Sequence, residues 1–337
     1  MKLSWTEQER RELLAKSFDA KALGGVSQYN LANGPECGQR IVRLQSSKGL
    51  EAEICVDRGF DIATLRYKGI NLGWRGPSSF PAPVELDADK GLGLLRSFEG
   101  FLVTCGLDHF GLPAEGPADH LIYPNRDRLV YPLHGRASGI PATIESAGTV
   151  LDTAEPYSWC TGVVRQAVVF GEVLELRRTI RMPLLGAELS IEDTVTNRGA
   201  LPARHGMLYH CNIGYPLLDT STRISGVGQS FEDQVSNCPP IPGHDIVERF
   251  DMAEPVGNTS IAVSNPALDG VKLTLAYSED TLPNLGIWQA YQSGIFALGI
   301  EPHSNLGDPE QKVVAGKDGV LAANEEQKYF LKFSLTS

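Results

Sequence analysis

Three short polar motifs interrupt sequence that otherwise alternates like β-strand: Pro132-Leu-His-Gly-Arg136, Tyr209-His-Cys-Asn212 and Gly299-Ile-Glu-Pro302. Each sets one proton-active group, His134, His210 or Glu301, beside a strand or turn. Imidazole changes charge near neutral pH, and burial raises a carboxyl toward the same range. The set therefore points to general acid–base work on an uncharged substrate. Glu301 closes the apolar run Gly294–Ile300 and precedes a proline that holds it extended, so a carboxyl at the end of a buried central strand is expected. A structural carboxylate paired with an arginine competes equally for Glu301 on spacing alone. A lone histidine in a β protein is more often a satisfied structural group than a catalyst, so it is the coincidence of the three motifs that favours chemistry.

His205 lies five residues before His210, an odd separation that sends the two rings to opposite faces of a regular strand and disfavours a shared metal. A second group comprises Arg96, Asp108, His109 and Arg136, where a planar guanidinium suits two-point contact with hydroxyls or a carboxylate but equally suits an internal salt bridge. Asp57-Arg58-Gly59 and Asp61 read as a charged turn with internal pairing. The six cysteines (Cys37, Cys55, Cys105, Cys160, Cys211, Cys238) stand singly, with no C-x-x-C pair, and buried free thiols are expected. Cys211 is read as a packed strand cysteine rather than a nucleophile.

The elements that must position these residues are mostly strands. Leu50, Ala52, Ile54 and Val56 alternate with Glu51, Glu53 and Asp57. The same period recurs at Leu174–Met182, Leu189–Val195, Val271–Leu275 and Tyr329–Leu335. One wet and one buried face is the mark of antiparallel sheets. A helix is expected over Glu7–Lys16, with Ser4-x-x-Glu7 and Thr6-x-x-Glu9 both fitting a capping box and Trp5, Leu13, Leu14 and Phe18 packing onto a sheet. Pro77–Gly93 and Leu112–Asp127 read as long loops. Turns are expected at Asn197-Arg-Gly199 and Pro239-Pro240. No β–α alternation or Gly-rich phosphate loop supports a nucleotide-binding fold. The 337 residues are expected to form a helical flank (1–25) and one large all-β, antiparallel sandwich domain (26–337).

A hydrophobic fraction of 42% supplies a core, and a net charge of −11 argues against nucleic acid or an anionic membrane as partner. No apolar run reaches the roughly 18 residues that span a bilayer, and the charged start lacks a signal-peptide core, so a cytoplasmic protein is expected.

In these motifs, taken in order, the chain resembles the aldose 1-epimerases of the galactose-mutarotase-like superfamily. The resemblance rests on His134-Gly135, Asp193-Thr-Val-Thr-Asn197, His210 followed by Tyr215-Pro216, Glu301-Pro302 and the final strand Asn324–Phe333. It spans roughly residues 40 to 335. The stretches Asp57–Ile62, Thr104–His109 and Tyr209–Asp219 look like one branch of that superfamily. The chain departs from it where Cys211-Asn-Ile-Gly replaces an aromatic-Asn-Leu, and in its sugar-binding aspartate, for which Asp245 and Asp108 are candidates. The resemblance implies a supersandwich fold and anomer interconversion, with Glu301 as base and His210 as acid. His134, Arg96, Arg136, Asp108, His109 and Asp245 would then hold a sugar or sugar derivative. It implies no cofactor and no metal; a homodimer is compatible with it. Two other readings stand beside it: another sugar isomerase or lyase, metal-assisted through His134, His210 and Glu301, and a non-catalytic sugar-binding protein.

Overall fold

Period-two alternation becomes strand wherever the sequence carries it. In the computed structural model, residues 6–17, 19–81, 89–118, 121, 127–227, 248–253, 260–292 and 294–337 are described. Eight strands build the site and its support: β1 (Asp61–Tyr67), β2 (Leu102–Leu107), β3 (Val173–Pro183), β4 (Glu188–Asn197), β5 (Gly206–Gly214), β6 (Asn284–Gln292), β7 (Ile295–His303) and β8 (Glu326–Thr336).

Two large antiparallel sheets face one another. The 10-stranded sheet runs Gly25–Asn30, Arg40–Gln45, Leu50–Cys55, β1, β2, β5, β7, β6, Glu248–Ala253, with Ile70–Asn71 beside β1. The 8-stranded sheet runs Arg223–Ser225, Ser260–Asn265, Val271–Tyr277, β8, β4, β3, Tyr157–Ala167, Thr143–Val150. Between them Leu174, Ile180, Leu189, Ile191, Leu331 and Phe333 meet Ile54, Leu65, Leu102, Ile213, Leu298 and Ile300 in one continuous core. Removing this apolar surface from water drives the sheets together. Cys55, Cys105, Cys160 and Cys211 are buried free thiols as expected, but Cys37 is exposed, and Cys238 lies outside the described residues.

The helix forms over Glu7–Lys16, capped by Thr6 and Glu9 in a reciprocal capping box. Its expected packing does not follow at Leu14. No helix residue is buried and Leu14 is 42% exposed, because the helix offers too little apolar surface; Arg10 instead pairs with Asp152. Trp5, Phe18 and Pro239-Pro240 lie outside the described residues. The stretch Leu112–Asp127 is not all loop, since Ala114–Pro117 pairs with Arg128–Tyr131 as a small two-stranded sheet. Among the described residues no helix is long and apolar enough to cross a membrane.

Candidate active site

Tyr209 on β5 points between the sheets, where its hydroxyl donates to Asp193 of the opposite sheet at 2.7 Å. Its neighbour His210 must therefore point the other way, to the outer face of the larger sheet. His205 bonds the Tyr329 hydroxyl of β8 at 2.7 Å and the Leu107 carbonyl at 2.9 Å, so the two histidines take opposite sides as their odd spacing predicts.

β7 lies between β5 and β6, with Ala297–His303 buried throughout. The strand does not end at Glu301 but runs on through Pro302 to His303, since the residue before a proline is already extended. Cys211 faces Ile300 and Leu208 faces His303 across the β5–β7 ladder, which sets His210 beside Glu301. His210 Nε2 and Glu301 Oε1 are 3.1 Å apart, both side chains buried. The contact is not aligned as a hydrogen bond: Glu301 Oε1 and His210 Nδ1 both lack a hydrogen-bonded partner. Buried polar atoms are normally satisfied, so unmet ones point to a ligand or ordered water that completes them.

Gly299 makes this approach feasible. A Cβ there would lie 2.8 Å from His210 Cε1, 2.9 Å from Glu301 Oε1 and 3.0 Å from Trp288 Cβ. Around the pair stands an aromatic wall. Phe98 meets His210 edge-on at 4.8 Å, Trp288 meets it at 5.4 Å, and Trp74 lies 5.9 Å from Phe98 and 6.1 Å from Trp288. Val103, Phe110 and Leu208 extend this second apolar cluster.

His134 joins from a turn. Its backbone is left-handed, φ 56°, and Gly135 follows where a Cβ would lie 2.2 Å from the Gly106 carbonyl oxygen. Only glycine fits that approach. The His134 ring stacks on Phe98 and stands perpendicular to His210 at 5.5 Å. Its Nδ1 accepts from the Gly111 amide at 3.3 Å, so neutral His134 carries its proton on Nε2 and offers a donor.

Burial governs the protonation of all three groups. It raises Glu301 to about 8, lowers His134 to about 4, and, with His134 adding to the effect, lowers His210 well below the usual imidazole value. At neutral pH the carboxyl keeps its proton and both imidazoles are neutral. Glu301 and His210 thus hold one proton between them, next to the neutral donor His134. Cys211 is no nucleophile, because burial pushes its thiol up.

The second group of candidates is more scattered. Arg136 donates to Asp108 at 2.6 Å and to the Val130 carbonyl at 2.8 Å, while Asp108 Oδ1 is buried without a partner. His109 Nε2 lies 2.8 Å from the Leu112 carbonyl, its ring 5.4 Å from Tyr131. Arg96 is exposed near Phe98 with its guanidinium 3.6 Å from Asp89. Asp245 lies outside the described residues. Asp57 pairs internally with Arg40, as expected.

The motif reading passed over His303, two residues beyond Glu301 and so on the same face of β7, buried, with Nδ1 unpartnered and its ring 5.3 Å from Phe110. Period-two spacing from Glu301 was the available signal. It also passed over Arg178 and took Asp193 only as the first residue of the Asp193–Asn197 motif; the two occupy inward positions of β3 and β4, face each other in register and form a fully buried ion pair at 2.7 Å. Arg178 also donates to Thr104 at 2.7 Å, and Thr104 and Ser138 both bond Asp61. The signal was a charge in an inward slot of an otherwise apolar alternation.

A family model described as "Domain of unknown function (DUF4432)" matches residues 36–335. The chain belongs to the DUF4432 family. No curated protein matches this DUF4432 chain in sequence. Its fold is that of the mutarotase-like β-sandwiches. A Klebsiella pneumoniae protein named as a candidate aldose 1-epimerase superposes with a TM-score of 0.75 at 22% identity, covering 92% of this chain and 83% of the other. A galactose mutarotase-like protein from Clostridium acetobutylicum gives 0.61 at 13% identity, covering 94% and 99%. A galactose 1-epimerase from Lactobacillus acidophilus gives 0.57 at 10% identity, covering 93% and 99%. At these identities the likeness is one of fold.

Proposed function

We propose that this DUF4432 protein is an isomerase of the aldose 1-epimerase type, interconverting the anomers of a sugar by ring opening and closure. The observation that carries the reading is the buried His210–Glu301 contact at 3.1 Å, with one proton for two groups and neutral His134 beside them. Ring opening removes a proton from the anomeric hydroxyl and delivers one to the ring oxygen. Reclosure after rotation about C1–C2 reverses both transfers, so one acceptor and one donor suffice.

In the proposed cycle Glu301 is the base and His210 the acid. Substrate binding must realign the 3.1 Å contact into a hydrogen bond, through which the proton that rests on Glu301 passes to His210 and leaves carboxylate against imidazolium. His134 Nε2–H holds a hydroxyl and keeps the open chain in place. The Asp108–Arg136 pair, His109, Arg96 and Asp245 are proposed as further substrate contacts. The apolar wall of Trp74, Phe98 and Trp288 stacks on the C–H face of a sugar ring and excludes water from the transfers.

Glu301→Gln and His210→Asn are each expected to abolish anomer exchange, followed by NMR exchange spectroscopy on a panel of neutral, uronic and sulfonated sugars, with far-UV circular dichroism unchanged. Exchange retained in both variants overturns the assignment.

A further inference from the structure

His210 has two ring nitrogens, and its contact with Glu301 uses only Nε2, 3.1 Å from Oε1. A neutral imidazole carries one N–H and one lone pair, so whatever meets Nδ1 decides which of the two Nε2 presents to Glu301. Nδ1 is buried without an aligned partner. A partner within the chain stands two residues away. Asn212 follows His210 on the same face of β5, about 6.7 Å along the strand, a gap that a carboxamide and an imidazole close between them. Across the ladder Asn212 faces Gly299, so no β7 side chain stands beside it on that face. Burial and His134 oppose the His210 cation, whereas the Asn212 side chain favours it, as an acceptor close to the ring does.

The orientation of the Asn212 amide is fixed. Its Nδ2 donates to the Gly100 carbonyl at 3.0 Å, so turning the amide over would set two carbonyl oxygens against each other. Oδ1 is the atom left over. Asn212 is fully buried, and Oδ1, like His210 Nδ1, lacks an aligned partner. An amide oxygen accepts and never donates. Two unmet buried atoms thus occupy neighbouring same-face positions of one strand, and they match only if Nδ1 carries the hydrogen. An unmet buried N–H is costly, so this match decides the tautomer.

We infer that Asn212 is the positioning residue of the proposed acid: its Oδ1 accepts from His210 Nδ1–H, so that Nε2 keeps its lone pair toward Glu301 and takes the proton there. The protons balance. One leaves the Glu301 carboxyl for Nε2 and goes on to the ring oxygen, and the anomeric hydroxyl returns one to Glu301. With the hydrogen on Nε2 instead, the ring has no lone pair to receive it. The inference rests on the proposed isomerase reading for what the proton does; the tautomer itself does not depend on that reading.

The test reads the two separately. In protein labelled with 15N at histidine, the ring shifts of His210 at pH 7 report which nitrogen is protonated, and the parent is expected to show Nδ1–H. Asn212→Leu, close in shape but without an acceptor, is expected to move the hydrogen to Nε2 and to lower kcat for anomer exchange about 100-fold with KM within about twofold. Asn212→Asp keeps an acceptor and loses the donor to Gly100; it is expected to keep the hydrogen on Nδ1 and to lose less than about tenfold. Nε2–H in the parent overturns the positioning, a result that needs no variant. Equal loss of exchange in both variants also overturns it, since a mere tie to Gly100 would behave so. Nδ1–H in the parent and Nε2–H in Asn212→Leu, in a protein without anomer exchange, keep the positioning and remove the isomerase. Exchange in a parent that shows Nε2–H does the reverse.

Discussion

Glu301 and His210 share one proton because, among the described residues, no charged group compensates either of them. Burial alone sets Glu301 at about 8, and the wall around His210 penalises its cation. A pair that needs one donor and one acceptor works only while it keeps that proton. Anomer exchange is therefore expected to hold level through neutral pH and to fall about tenfold per unit above roughly pH 8, as the proton leaves. A rate measured flat from pH 7 to pH 10 overturns the one-proton reading. Gly299 tests the spacing, since an added Cβ lies under 3 Å from both His210 and Glu301 and must push them apart. Displacement near 1 Å costs about 100-fold when groups must be aligned. Gly299→Ala is expected to lower kcat by about that factor while the protein stays folded by circular dichroism. These two residues were legible in the sequence as types and in order. Their contact was not, because 90 residues of chain separate them and only strand pairing brings them together.

The strands were legible where the alternation is clean, and β3 and β4 show both the strength and the limit of that signal. Leu174, Leu176, Ile180 and Met182 face inward as their spacing predicts, yet Arg178 takes the slot between them. The alternation marks the slot as inward, but it does not say what neutralises a charge there. The answer lies on the neighbouring strand, Asp193, and across the sandwich, Tyr209 and Thr104. Tyr209 immediately precedes His210, so the pair anchors the back of the strand whose front carries the proposed acid. Removing one partner leaves a buried uncompensated charge. Arg178→Met and Asp193→Leu are each expected to cost about 3–5 kcal/mol. The double variant is expected to lose clearly less than the sum of the two, read from urea midpoints. Additive losses would sink the coupling.

At the scale of the whole molecule, the all-β, antiparallel class followed from composition and period and the sandwich from the family resemblance, but the strand order did not follow from alternation. β2, β5, β7 and β6 are neighbours although their sequence positions run from 102 to 303, and such pairing is fixed by tertiary contacts that no local pattern encodes. The same sandwich buries titratable groups whose pH dependences oppose one another. His134, His205 and His303 are each held near 4, so the folded state binds fewer protons than the unfolded between about 4 and 6.5. Their contribution is present above 6.5 and is lost as pH falls toward 4. Glu301 runs the other way. Its folded value of about 8 exceeds the unfolded 4.5, so the folded state binds the extra proton, and stability falls as pH rises from 4.5 through 8. Glu301→Gln removes that ionisation. The variant is expected to match the parent near pH 5 and to exceed it by on the order of a few kcal/mol by pH 9. Thermal melts of the two proteins across pH 5–9 check this. A melting difference that stays constant with pH means that Glu301 ionises as freely folded as unfolded, and the one-proton account of the site falls with it.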